Sequence, residues 1–236
     1  MLSMRDIFIA DAHLVDPEDP NYRKLLSFFE EQKGQIRTLF LLGDIFEFWV
    51  GYRHTVFAPY VPLLEALRRL RESGTEIVYV EGNHDFHMGP YFEDVLGCRI
   101  LPDGGPIDLD GRKIFIGHGD LVNPDDRGYK ILRRFLRSRT LSRLKNLIPP
   151  DWAWAIARWA GRRSRGSSSE RRAPVDMLMA HARKLFAEGY CAVVTGHFHE
   201  PSLTETESGT MVALGDWIER YSYAVFENGR FELRSY

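Results

Sequence analysis

The ten residues Glu76-Ile77-Val78-Tyr79-Val80-Glu81-Gly82-Asn83-His84-Asp85 pass from an apolar, β-branched run into a glycine and three side chains that can handle cations or protons. A short run of this kind reads as a strand buried on both faces, with the glycine marking the turn at its end. The same arrangement recurs along the chain. Ile7–Ala10 ends at Asp11-Ala12-His13, and Thr38–Leu42 ends at Gly43-Asp44. Ile114–Ile116 ends at Gly117-His118, and Cys191–Thr195 ends at Gly196-His197-Phe198-His199. In sheets of α/β proteins ligands bind beyond the carboxyl ends of the strands, so five strand ends aim Asp, His and Asn at one crevice.

Between the first three runs lie helical patterns, about Tyr22–Lys33 and Val56–Ser73. The second spaces Leu63, Leu64, Leu67 and Leu70 on one face and Arg68, Arg69, Arg71 and Glu72 on the other. Alternation of strand and helix argues for an α/β class. After His199 only strands are expected: Pro201–Thr206, Thr210–Leu214, Tyr221–Glu227 and Arg230–Arg234, with turns at Gly209 and Asn228-Gly229. The segment 124–174 interrupts this scheme. Arg127–Leu147 reads as one basic amphipathic helix with Ile131, Leu132, Phe135 and Leu136 on one side. Pro149-Pro150 should break it, and Asp151 should cap a second helix running to Arg163. The chain is therefore expected to be a single domain, 1–236, carrying a helical lid insertion at 124–174.

The 236 residues are 44% hydrophobic and 27% charged, the balance of a soluble globular protein. No apolar run approaches the 18 residues or more of a membrane-crossing helix, and Met1–Ala10 is too short in its apolar part to be a removable leader. Cys98 and Cys191 lack metal-ligand spacing and are too few for a disulfide framework, so a reducing, cytoplasmic setting is expected. The net charge of −2 hides an asymmetry. Residues 127–172 hold 14 Lys and Arg against two acids, a local +12 set against −14 elsewhere. Such a segment suits an anionic ligand or surface.

The donors at the five strand ends are carboxylate, carboxamide and imidazole, with no sulfur. That mixture suits Mn, Fe, Zn or Mg and excludes an iron–sulfur cluster. Each piece alone is weak, since buried Asp and His commonly just hydrogen-bond at strand ends. Five in order, each at the end of a strand, are not explained that way.

The ordered set Asp-x-His, Gly-Asp, Gly-Asn-His-Asp, Gly-His and Gly-His-x-His, over residues 11–199, resembles the calcineurin-like metallophosphoesterase superfamily. Within it, Ile9–Leu14, Leu42–Trp49 and His118-Gly119-Asp120 followed by Asp125–Tyr129 look closest to the UDP-2,3-diacylglucosamine hydrolases of lipid A biosynthesis. The resemblance implies a four-layer α/β/β/α sandwich with a helical lid, and a metal-dependent hydrolase that cleaves the pyrophosphate of UDP-2,3-diacylglucosamine. It implies two divalent metal ions, with Mn²⁺ the first expectation. One would be held by Asp11, His13, Asp44 and His199, the other by Asp44, Asn83, His118 and His197. A carboxylate shared between two cations a few ångströms apart offsets their repulsion, and such a pair clamps a phosphoryl oxygen and activates water. His84 and Asp85 are the expected catalytic pair, with Asp85 orienting an imidazole, that of His84.

One departure stands out. The best-known hydrolases of this kind carry Arg where this chain has His84, whose charge depends on pH while that of Arg does not. Another nucleotide or phosphodiester substrate therefore remains the alternative.

The resemblance also carries over substrate contacts to Asn83, His84, Asp126, Tyr129, Ser164, Ser168, Arg171 and His197. The other reading of Asp125-Asp126 is a helix cap. Trp152, Trp154 and Trp159 beside Arg158, Arg162 and Arg163 read in two ways: packing of the lid onto the core, or an interfacial helix on an anionic inner-membrane surface. The basic segment carries no nucleic-acid motif, so nucleic acid is not an expected partner. His54, His87 and His181 stand outside the motifs, and Phe48 and Trp49 read as pocket wall or core.

Overall fold

The computed structural model describes residues 4–138, 140–141, 147–155 and 175–236. Ser164, Ser168, Arg171, Trp159 and the rest of 156–174 lie outside the described residues. The chain runs through β1 (Arg5–Ile9), α1 (Pro20–Gln32), β2 (Ile36–Leu41), β3 (Trp49–Val50), a 3₁₀ turn (Ala58–Tyr60) and α2 (Val61–Glu72). It continues through β4 (Glu76–Val80), β5 (Asp85–Phe86), a π-helical turn (Tyr91–Val95), β6 (Arg99–Leu101), β7 (Gly105–Leu109), β8 (Arg112–Gly117) and α3 (Arg127–Leu136). From residue 175 on come α4 (Val175–Ala187), β9 (Ala192–Thr195), β10 (Pro201–Thr206), β11 (Gly209–Leu214), β12 (Ser222–Glu227) and β13 (Arg230–Ser235).

Two large sheets form, in the orders β13-β12-β1-β2-β4-β6 and β10-β11-β9-β8-β7, and β3 pairs with β5 in a small third. In the first, β1, β2, β4 and β6 are parallel, with β12 antiparallel beside β1. In the second, β8, β9 and β11 are parallel, with β7 and β10 antiparallel at the edges. The alternation of side chains along each strand explains why these runs are apolar throughout. Ile7, Leu39, Leu41, Ile77 and Tyr79 face α1 and α2. Phe8, Phe40, Leu42, Val78 and Val80 face the opposite way, onto Ile114, Ile116, Val194, Val212 and Leu214 of the second sheet. Val193, Met211 and Ala213 on that sheet's outer face pack on Leu178, Met179, Ala182 and Leu185 of α4. The architecture is the four-layer α/β/β/α sandwich that the resemblance implied.

The expected helices and C-terminal strands are present with boundaries shifted by a few residues. Asn228 and Gly229 both have positive φ, 53° and 76°, as a type I′ hairpin turn requires. The strands β6 and β7 were not foreseen: Arg99–Leu101 is short, and β7 alternates buried and exposed residues at the sheet edge. Trp49 belongs to the core, its indole N–H donating to the Met88 carbonyl at 3.1 Å.

The described part of segment 124–174 departs from expectation. The basic helix stops at Leu136 instead of reaching Leu147. Its apolar residues face outward, with Ile131 71%, Leu132 53% and Phe135 62% exposed, while Arg133 and Arg137 turn inward. A second helix begins at Pro150, over 150–155, where the missing N–H of the proline costs nothing. The first turn is closed by the Pro149 carbonyl, which accepts from Trp152 and Ala153, so Asp151 lies inside the helix and not at its cap. Trp154 packs on Phe57 and Tyr60, with ring centroids 5.1 and 5.4 Å apart, and Trp152 is exposed. Core packing therefore holds for Trp154. Among the described residues no helix is long and apolar enough to cross a membrane.

The α1 and α2 pair is joined by a side chain that answers the unpaired amides of a helix start. The Tyr22 hydroxyl donates to the Pro59 carbonyl at 2.9 Å and accepts from the Leu63 N–H at 3.2 Å. Tyr22→Phe leaves the buried Leu63 N–H and the part-buried Pro59 carbonyl without this partner. It should cost about 1–3 kcal/mol in urea unfolding, with the native circular dichroism spectrum unchanged.

Candidate metal centre

The parallel strands β1, β2 and β4 of one sheet and β8 and β9 of the other deliver their carboxyl-terminal loops to one end of the sandwich. The side chains meet there. Asp44 Oδ2 lies 3.7 Å from His13 Nε2 and 3.5 Å from His118 Nε2, while its Oδ1 accepts from the His84 N–H at 2.9 Å. Asp11 Oδ2 accepts from the His197 N–H at 2.6 Å, and its Oδ1 is 3.5 Å from His199 Nε2. His118 Nε2 faces Asn83 Oδ1 at 3.1 Å and His197 Nδ1 at 3.2 Å. Among the described residues three sets of donors lie within 4.8 Å of one another: Asp11, His13 and His199; His13, Asp44 and His84; Asp44, His118 and His197. All seven residues expected as ligands are thus brought together.

Backbone geometry shows what this assembly demands. Asp11, His13, Asp44, His197 and His199 all have φ between 44° and 75°, a conformation that costs about 1–3 kcal/mol for a residue with a side chain. Close approach of the loops needs glycine as well. A Cβ on Gly82 would sit 2.1 Å from Asp44 Oδ1, so no other residue fits there without moving the carboxylate.

The imidazoles are oriented from behind. His118 Nδ1 donates to the Leu42 carbonyl at 2.8 Å, which leaves Nε2 to face the cluster. His13 Nδ1 is 3.3 Å from Glu47 Oε2, and Nε2 again faces inward. Fixing one ring nitrogen in this way sets which nitrogen is free to bind a cation. Glu47 is a residue that sequence reasoning passed over. Its signal was its place three residues after Asp44, on the same loop.

Burial penalises the charges on Asp44 and His118 alike. Facing His118, His84 and His13, the Asp44 carboxyl nevertheless lies well below the usual carboxylate range. Burial would also lower His118, but Asp44 and Asp11 outweigh it and hold the imidazole up to about 10. Burial and the charge on His118 push His197 down to about 4, which leaves it a neutral donor. The site thus gathers positive charge around its two central carboxylates. A further sign is Asp11 Oδ1, which is buried with no hydrogen-bond partner. An orphaned carboxylate oxygen among imidazole nitrogens fits a divalent cation.

Asp85 does not do what its position beside His84 suggested. Its carboxylate accepts from the N–H groups of Asp44 (2.9 Å), Ile45 (2.7 Å) and Gly82 (2.9 Å), and from the Tyr79 hydroxyl (2.5 Å). A longer contact reaches the Phe46 N–H. It touches no imidazole. His84 is oriented instead by the Glu47 carbonyl, 2.9 Å from Nδ1. Asp126 is the N-cap of α3, accepting from the Tyr129 N–H at 2.9 Å. The Tyr129 hydroxyl donates to Asp120, which also accepts from Arg133 Nε at 2.7 Å. Both residues expected to touch substrate therefore already have partners within the chain.

A family model for calcineurin-like phosphoesterases matches residues 4–201. UDP-2,3-diacylglucosamine hydrolase of Neisseria meningitidis serogroup B is 32% identical over 220 residues, 91% of this chain and 90% of that protein. The proteins of the same name from Pseudomonas putida and Stenotrophomonas maltophilia are 31% and 32% identical. Those matches cover 96% and 98% of this chain and 97% and 98% of the relatives. Among solved structures, an archaeal phosphodiesterase is similar in fold, with a TM-score of 0.53 at 15% identity over 98% of this chain and 99% of that one.

The Asp85 network generates a measurable expectation. In Asp85→Asn the amide must turn an N–H toward backbone N–H groups, and the variant should lose about 3 kcal/mol or more in urea unfolding. Tyr79→Phe, which removes one of the donors, should cost less than half as much.

Proposed function

Because the chain belongs to the calcineurin-like phosphoesterase family, we propose that this hydrolase cleaves the pyrophosphate bond of UDP-2,3-diacylglucosamine, giving UMP and 2,3-diacylglucosamine 1-phosphate. The observation that carries the reading is the donor cluster centred on Asp44. Relatives of this name, similar over more than nine-tenths of both chains, support the choice of substrate.

In this reading one cation is held by Asp11, His13, Asp44 and His199, and a second by Asp44, Asn83, His118 and His197. Mn²⁺ is the ion we propose. When bound, such a pair neutralises charge on a phosphoryl oxygen and generates a nucleophile from water at neutral pH. The chain's own residues do the rest. Asp44 lies between His13 and His118, so one carboxylate can serve both cations. With Nδ1 held by the Glu47 carbonyl, His84 keeps Nε2 to give an N–H to a phosphoryl or leaving oxygen when protonated. Asp85 keeps Asp44 and the Gly82 turn in register and is a positioning residue.

The segment 124–174 is the lid of this single-domain reading. Its exposed Ile131, Leu132, Phe135 and Trp152 and its basic charge suit an acylated substrate drawn from the cytoplasmic face of an anionic inner membrane. Asn83, His84 and His197 would contact the phosphates, and Asp126, Tyr129, Ser164, Ser168 and Arg171 the remainder of the substrate. One observation favours a second reading, a different nucleotide or phosphodiester: His84 stands where the best-known hydrolases of this kind carry Arg.

The test is UMP release from UDP-2,3-diacylglucosamine in detergent with Mn²⁺, with and without chelator, beside UDP-N-acetylglucosamine and an aryl phosphodiester. Chelator-sensitive turnover of the diacylated sugar alone is expected, and turnover of the small esters alone would move the function to the second reading. Asp44→Ala should lower turnover by more than the about 10- to 100-fold that loss of an outer partner causes. Activity near that of the unaltered chain would remove the shared-carboxylate assignment.

A further inference from the structure

Helix α3 is tied to the metal-centre loops at both ends, and neither tie follows from the reaction. At its start, Tyr129 and Arg133 hold Asp120, two residues beyond His118 on the loop after β8. At its end, the half-buried Arg137 reaches the loop after β4. Its Nη2 donates to the Gly82 carbonyl at 2.6 Å and to the Glu81 carbonyl at 3.2 Å. Its Nη1 donates to the Pro102 carbonyl and lies 3.5 Å from Glu81 Oε2. His87 Nε2 adds a 3.2 Å contact to the Leu136 carbonyl, on the last residue of α3. The helix thus spans a loop of each sheet, and the side chains it brackets, His118 and Asn83, are 3.1 Å apart.

The Gly82–Asn83 peptide has reason to need such a hold. Gly82 brings no side chain to anchor it, because one would strike Asp44. Asn83 is the one carboxamide among the seven expected ligands, with no charge of its own to draw it to a cation. Nη2 of the guanidinium holds the two successive carbonyls while Nη1 is braced on the Pro102 carbonyl and Glu81, a two-armed span that the single nitrogen of lysine cannot cover.

We infer that Arg137 is a positioning residue that holds the Glu81–Gly82 carbonyls so that the Asn83 carboxamide faces His118, coupling the seating of α3 to the second cation position. This rests on the two-cation reading above, and the experiment separates the two.

Full-length protein stripped of metal is titrated with Mn²⁺ by calorimetry, and spin coupling between paired Mn²⁺ ions is followed by electron paramagnetic resonance. Arg137→Ala should bind the first ion as the unaltered chain does and the second about 10- to 100-fold more weakly, with loss of the coupled signal. Arg137→Lys should fall between. Retention of both affinities, or an equal loss of both, would overturn the inference. Should the alanine variant not fold, Arg137→Lys decides by the same criterion of selective loss at the second ion. Asn83→Ala is the reference. If it too binds two ions unchanged, the two-cation reading falls and the inference with it. If it loses the second ion while both Arg137 variants keep it, the inference alone falls.

Discussion

The carboxylate of Asp85 is the tie on which the site depends, because it joins the loops that leave two neighbouring strands. It gathers the N–H groups of Asp44 and Ile45 from the β2 loop and that of Gly82 from its own, with the Tyr79 hydroxyl rising from β4 beneath them. A buried carboxylate is tolerable only when its lone pairs are filled, and here they are filled by backbone N–H groups and the Tyr79 hydroxyl. The consequence is geometric. With its N–H held from one side, Asp44 takes φ 53° and turns its carboxylate between His13 and His118.

That arrangement is costly, and the rest of the fold offsets the cost. Five left-handed residues and three buried carboxylates, Asp11, Asp44 and Asp85, crowd one end of the sandwich. Three buried clusters of Phe, Leu, Ile, Val and Trp stand behind them, and each fully buried large side chain contributes roughly 1.5–3 kcal/mol. The charge problem is met locally. His118 is held up to about 10 by the carboxylates it faces, so it supplies positive charge to a cluster that a divalent cation would suit better. Strain and like charge at strand ends are the pattern expected where function outweighs stability.

Most of this was legible in the chain because strand ends have a readable grammar: an apolar run, a glycine, a donor. The seven expected ligands converge for that reason, and the double-sided burial of β1, β2 and β4 was visible in their unbroken apolar runs. What could not be read was partnership across the fold. Asp85 follows His84 in sequence, yet it bonds to residues some forty positions earlier on another strand's loop. The role of Glu47 toward His13 is hidden in the same way, by a separation of 34 positions. Helix α3 misled through its amphipathic pattern. Apolar spacing reports that a helix has two faces, and only the acidic rim formed by Asp120, Glu81 and Asp103 decides that the arginine face turns inward.

The inward arginines also bear on how the site and α3 fold together. A helix of ten residues is too short to be stable by its own propensity in water. α3 buries none of its side chains fully and leaves Ile131, Leu132 and Phe135 in contact with solvent, so core burial does not hold it. What remains is the set of charge-assisted bonds from Arg133 and Arg137 to Asp120, Asp103, Glu81 and the loop carbonyls. Those to Asp120 and to Glu81 and Gly82 reach the two loops that carry His118 and Asn83, and those to Pro102 and Asp103 reach the turn after β6. The helix is therefore ordered by the loops of the metal centre, and the loops in turn are bridged by the helix.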